Sequence, residues 1–144
     1  MNLFIVENSN YLLERLIRLV GQRKGIQVVG HAATAREAVD SIRHVRPDVV
    51  LLDIRLDQGS GLDVIKQTKT RGQPPIFVVL TNYAYSQYRD RFLQYGAEYF
   101  FDKSQELDVM LQALDTLRHR FTYASGQSRS DEQRMAKHQP RIRM

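Results

Sequence analysis

Short aliphatic runs alternate along this chain with stretches whose apolar positions recur every three or four residues, and the pairing repeats five times. "LFIV" at 3–6 predicts a strand, and Leu12, Leu13, Leu16, Ile17 and Val20 then share one side of a helix that Gly21 and Gly25 stop. "IQVVGHA" from Ile26 predicts a second strand. Thr34 predicts the N-cap of a helix carrying Ala35, Ala38, Val39, Ile42 and Val45, which ends at Pro47. "DVVLLD" at 48–53 is the third strand, with a helix marked by Leu62 and Ile65 that stops by Gly72. "IFVVLT" at 76–81 is the fourth, before a helix with Tyr88, Phe92 and Tyr95 that closes at Gly96. "EYFFD" at 98–102 is the fifth, and a helix capped at Ser104 follows, with Leu107, Met110, Leu111, Leu114 and Leu117 on one face.

Strands three and four are apolar throughout, as expected of a parallel sheet covered on both faces by helices. Five strand-helix units with right-handed crossovers predict an α/β, flavodoxin-like doubly wound domain, its five parallel strands in the order 2-1-3-4-5. Ligands of such sheets bind beyond the carboxyl ends of the strands, at the switch point between strands one and three.

The residues that end the strands are polar. Strand one ends in Glu7 and Asn8, strand three in Asp53, strand four in Thr81, and strand five in Asp102 and Lys103. Two carboxylates and an amide oxygen at one edge repel unless a cation lies between them, and an all-oxygen set of this kind suits Mg²⁺. A hydroxyl and an ammonium opposite suit an incoming phosphoryl group. The cluster reads as a place to put phosphate on an Asp.

Composition narrows the field. The 144 residues suffice for one domain with its own core, and the absence of cysteine excludes disulfides, thiolate metal sites and thiol nucleophiles. No apolar run approaches the roughly 18 residues of a membrane span, and "MNLFIVENSN" has neither a basic n-region nor a cleavage site, so a cytoplasmic protein without a membrane partner is expected. Of the net charge of +5, residues 1–120 carry +2 and residues 121–144 carry +3. The domain is therefore assigned to 1–120, with 121–144 a basic, largely disordered tail without sustained apolar periodicity. A nucleic-acid contact is not favoured; if the tail makes one, deleting it abolishes weak, salt-sensitive binding. The four histidines, at 31, 44, 119 and 138, have no metal-ligand spacing.

Four stretches, "LFIVEN", "PDVVLLDIRLDQGSGLDVI", "VVLTNYA" and "GAEYFFDKS", stand in the order and spacing of the receiver domain of two-component response regulators, and residues 1–120 resemble that family. The resemblance implies that Asp53 takes a phosphoryl group from a sensor histidine kinase or a histidine phosphotransfer protein. It implies that Glu7, Asn8, Asp53 and the main-chain carbonyl of Arg55 surround Mg²⁺, that Lys103 pairs with a phosphoryl oxygen, and that Thr81 donates its hydroxyl to another. Phe100 matches the aromatic switch, expected to turn inward as Thr81 moves; plain core is its other reading. Gly61 matches the loop glycine. A stand-alone switch is expected, not an enzyme, signalling by protein contact through the face of the fourth helix, fifth strand and fifth helix.

Several positions depart from the family. Asn8 stands where the acidic pair has Asp, which predicts weaker Mg²⁺ binding. Asp57 replaces a frequent Pro, with two readings: a carboxylate that faces the site and compensates, or a solvated loop acid. Ser104 replaces the Pro after the lysine, removing the usual reason for a cis peptide there. Asn82, Arg55 and Tyr83 are bulky around the phosphoryl position and predict slower access of water. Asn8 also motivates an alternative, a receiver-like protein-binding module that is never phosphorylated. An enzyme or flavin protein on this fold is disfavoured, because the chain lacks the Asp-x-Asp spacing of an Asp-based phosphatase and any Gly-rich phosphate loop.

Overall fold

In the computed structural model, which describes residues 1–69 and 72–134, with side chains of the last helix described as far as Phe121, five strands and five helices alternate. They are β1 (Asn2–Val6), α1 (Asn10–Gly21), β2 (Gln27–Ala32), α2 (Ala35–Val45), β3 (Val49–Leu52), α3 (Gly61–Thr68), β4 (Ile76–Thr81), α4 (Ser86–Gln94), β5 (Ala97–Asp102) and α5 (Leu107–Arg134). The sheet is parallel in the order β2-β1-β3-β4-β5, as the alternation predicts.

All four residues of β3 are buried, which is why that strand has no polar alternation. Successive side chains leave opposite faces of the sheet and enter separate cores. Phe4, Val6, Val50, Leu52, Phe77, Val79 and Phe100 pack toward α2, α3 and α4. Leu3, Ile5, Val49, Leu51, Val78, Leu80 and Phe101 pack toward α1 and α5.

Helix starts follow side-chain caps. Ser9 accepts from the Leu12 N–H, Thr34 from Glu37 and Ser60 from Asp63, each satisfying a donor that the first helical turn leaves free. Ser60 and Asp63 form a reciprocal capping box at α3, the "SGLD" pattern of 60–63.

The last helix departs from the sequence expectation at its start. Ser104 does not cap it: the Ser104 hydroxyl turns back to Asp102 Oδ1 at 2.7 Å, and α5 begins three residues later. Glu106 serves instead, its carbonyl accepting from Met110 and its Oε1 accepting the Asp102 N–H at 2.9 Å. The peptide before Ser104 is trans. Helix α5 continues to Arg134, through the first part of the segment assigned to a tail, whose residues 135–144 lie outside the described residues. A helix already nucleated by packed turns extends at one hydrogen bond per added residue, so polar sequence does not by itself end it.

Candidate functional site

β1, β3, β4 and β5 end at one edge of the sheet, and register decides what meets there. Val6 pairs with Leu52, Leu52 with Val79, and Thr81 with Asp102, so the residues that follow each strand emerge side by side. Glu7 and Asp53 come directly after their strands and Lys103 directly after β5. Glu7, Asp53 and Thr81 are buried, and the Lys103 side chain is only 11% exposed.

Lys103 joins the two carboxylates. Its Nζ lies 2.9 Å from Asp53 Oδ2 and 3.0 Å from Glu7 Oε1. Asp53 Oδ1 accepts the Ile54 N–H at 2.7 Å, so both oxygens of Asp53 are engaged and the plane of the carboxylate is set. Glu7 Oε2 accepts the Ser9 N–H at 3.0 Å.

One ammonium does not neutralise two buried carboxylates. Burial, and then the charge of Asp53, push the Glu7 pKa above the ordinary glutamate value despite Lys103. Burial works against the Lys103 ammonium, but its hydrogen bond to Asp53 and the charges of Asp53 and Glu7 outweigh that and hold its pKa above the ordinary lysine value. The residual negative charge fits a cation. Among the described residues no three His, Cys, Asp or Glu side chains form a closed metal cage. Mg²⁺ asks for none, because it keeps several waters and takes one or two protein carboxylates.

Of the other predicted residues, Thr81 and Gly61 adjoin this pair through the main chain. Thr81 does not bond Asp53: its Oγ1 accepts the Tyr83 N–H at 3.0 Å, holding the loop after β4, while its carbonyl accepts the Lys103 N–H at 2.9 Å. Phe100 is already inward, 3% exposed, with its ring 6.0 Å from that of Phe92 on α4 and the Arg89 guanidinium 5.2 Å from its centroid. Gly61 leaves no space for a side chain, since a Cβ there collides with the Asp53 carbonyl. Asn8 is exposed and donates from Nδ2 to Asp57 Oδ1 at 3.1 Å.

A residue-by-residue search for acids and hydroxyls does not find how the loops close over the site. Arg55, exposed on the loop after β3, lies with its guanidinium 4.3 Å from the centroid of Tyr83, on the loop after β4. Arg55 also bridges Ser60, and Ala35 donates to the Gln58 carbonyl at 2.9 Å, which ties the loop to the start of α2. The "SGLD" capping pattern was the readable signal for where this loop ends.

The profile of the response regulator receiver domain matches residues 3–115, a stretch that includes every residue of this edge. The chain belongs to the response regulator receiver family. Among curated relatives, it is 31% identical over 114 residues to the uncharacterized transcriptional regulatory protein YvfU of Bacillus subtilis, covering 79% of this chain and 57% of that one. It is 34% identical over 115 residues to the positive alginate biosynthesis regulatory protein of Pseudomonas aeruginosa, covering 79% of this chain and 46% of that one. The chain thus spans about half the length of these relatives. A solved two-component response regulator of the LuxR family from Aurantimonas sp. shares the fold, with a TM-score of 0.75, 24% identity and coverage of 82% and 84%. No described helix of this receiver domain is long and apolar enough to cross a membrane.

Proposed function

We propose that this receiver domain accepts a phosphoryl group on Asp53 from a phosphohistidine of a sensor histidine kinase or histidine phosphotransfer protein. The observation that carries the reading is a buried carboxylate at a strand end whose two oxygens are oriented by the Ile54 N–H and by Lys103, beside a second carboxylate of raised pKa. An Asp53 oxygen forms the bond to phosphorus as the P–N bond breaks, and the released imidazole takes up a proton. Glu7, Asn8, Asp53 and the Arg55 carbonyl would hold Mg²⁺. When bound, the ion supplies positive charge that offsets the repulsion between Asp53 and the phosphoryl oxygens.

Lys103 moves from Asp53 to a phosphoryl oxygen, keeping Glu7 as its second partner. Thr81 accepts from Tyr83, so its own proton is free to be donated to the phosphoryl group, and turning toward it draws in the loop that Tyr83 anchors. That loop leads into α4. Tyr85, Leu93 and Tyr95 at α4 and Val109 on α5 are exposed, and aromatic side chains of this kind favour protein contact, which supports the α4-β5-α5 face as the output surface.

Asn8 favours the second reading, a module that binds partners without being phosphorylated. Beryllofluoride with Mg²⁺ separates the two. A phosphoacceptor shifts its amide resonances from Asp53 through the loop after β4 to Phe100. Unchanged spectra at millimolar concentrations mean a binding module.

A further inference from the structure

Asn8 and Asp57 come from loops 49 residues apart and meet through one hydrogen bond, from Asn8 Nδ2 to Asp57 Oδ1 at 3.1 Å. A primary amide has a donating end and an accepting end, whereas an ionised carboxylate only accepts. Facing Asp57, the amide has one favourable orientation, with nitrogen toward the carboxylate and oxygen away from it. Asp57 therefore decides which end of Asn8 is presented to the other side.

Asp57 is not on a free loop. Its own N–H donates to the Ala33 carbonyl, the Gln58 carbonyl accepts from Ala35, and Gly61 donates to the Ile54 carbonyl at 2.8 Å. These bonds tie both sides of the loop to the scaffold that carries Asp53. Both side chains are exposed, and next to Asn8 the Glu7 carboxylate accepts the Ser9 N–H, which fixes the main chain on either side of Asn8. Asp57 also adds a negative charge next to Asn8, although it forms no three-carboxylate group with Glu7 and Asp53 among the described residues.

We propose that Asp57 is a positioning residue of this site: it holds the Asn8 amide with its oxygen toward the cation beside Glu7 and Asp53, and supplies the negative charge that Asn8 lacks. The acidic function of the second position is thereby divided between two side chains, one providing the ligand oxygen and the other the charge. The proposal rests on the phosphoacceptor reading and deepens it.

The test is an NMR titration of the intact chain with MgCl₂, following backbone amides and the side-chain amide of Asn8. It compares wild type, Asp57→Asn, and the exchanged pair Asn8→Asp/Asp57→Asn, all close in shape. In metal-free protein, Asp57→Asn moves the Asn8 side-chain amide signals. It also weakens Mg²⁺ binding by about tenfold, the usual effect of losing a partner that orients a ligand. The exchanged pair recovers wild-type affinity or exceeds it, because carboxylate and amide have only traded places. Wild-type affinity in Asp57→Asn, with the Asn8 signals unmoved, overturns the assignment while leaving the phosphoacceptor reading intact. A wild-type protein that shows no Mg²⁺-dependent shifts overturns both.

Discussion

Lys103 donates to Asp53 at 2.9 Å from within a pocket where both side chains are almost shielded from water. That contact ties the residue after β3 to the residue after β5, and it is shared with Glu7 at 3.0 Å. An ammonium on two buried carboxylates is a charge balance that fails when one member is removed.

Lys103→Met is expected to destabilise the domain by about 2–3 kcal/mol, somewhat less than for full burial because the lysine keeps a little solvent contact. Millimolar Mg²⁺ recovers part of the loss by offsetting the stranded carboxylates. Urea unfolding with and without Mg²⁺ measures both effects. An unchanged midpoint in metal-free buffer contradicts the charge balance described here.

Glu7 sets a pH dependence. Its folded-state pKa is raised, so the folded protein holds this proton more tightly than the unfolded chain does. The contribution is favourable below the ordinary value of 4.5 and is lost as pH rises through the higher folded value. In metal-free buffer, stability of the wild type should therefore fall relative to Glu7→Gln as pH rises through that window. Parallel stability profiles for the two proteins count against burial as the dominant influence on Glu7.

Gly61 shows a packing limit next to the chemistry. A methyl group there meets the Asp53 carbonyl and lies 3.2 Å from Leu52, so Gly61→Ala requires the loop after β3 to shift. The expected loss is about 1–3 kcal/mol, as for overpacking elsewhere in protein interiors. Amide shifts concentrated at 52–55 accompany it. A Gly61→Ala protein with wild-type stability and unmoved Asp53 resonances refutes the close approach.

Much of this architecture was readable from the chain. Continuous aliphatic strands at 49–52 and 76–81 imply burial on both faces, and burial on both faces implies parallel strands between helices. Residues at or directly after strand ends were readable too, because a parallel sheet brings those ends to one edge: hence Thr81, which closes β4, and Glu7, Asp53 and Lys103, which follow β1, β3 and β5. Contacts between loops were less accessible. The bond from Asn8 to Asp57 and the stacking of Arg55 on Tyr83 depend on the path of two loops through space, which periodicity does not encode. Ser104 shows a different limit. Its residue type suits a cap, but a neighbouring acceptor on Asp102 captured the hydroxyl and Glu106 took the position.

On the proposed function, Arg55 and Tyr83 bear on the lifetime of the phosphorylated state. Their contact joins the loop after β3 to the loop after β4, and an exposed cation–π pair is worth about 0.5–1 kcal/mol. Opening of those loops to water should rise accordingly in Tyr83→Ala, shortening the acyl-phosphate half-life by about two- to fivefold. Decay of phosphoprotein after removal of the donor gives the rate. Equal or slower decay in the variant rules out a shielding role for the stack.

The most direct measurement is intact-mass analysis after incubation with acetyl phosphate and Mg²⁺. The wild-type chain is expected to gain a single phosphoryl group that hydroxylamine removes, and Asp53→Asn, folded normally, to gain none. A wild-type protein that stays unmodified, or an Asp53→Asn protein that still takes up a hydroxylamine-labile phosphate, would contradict the assignment of Asp53 as the phosphoacceptor.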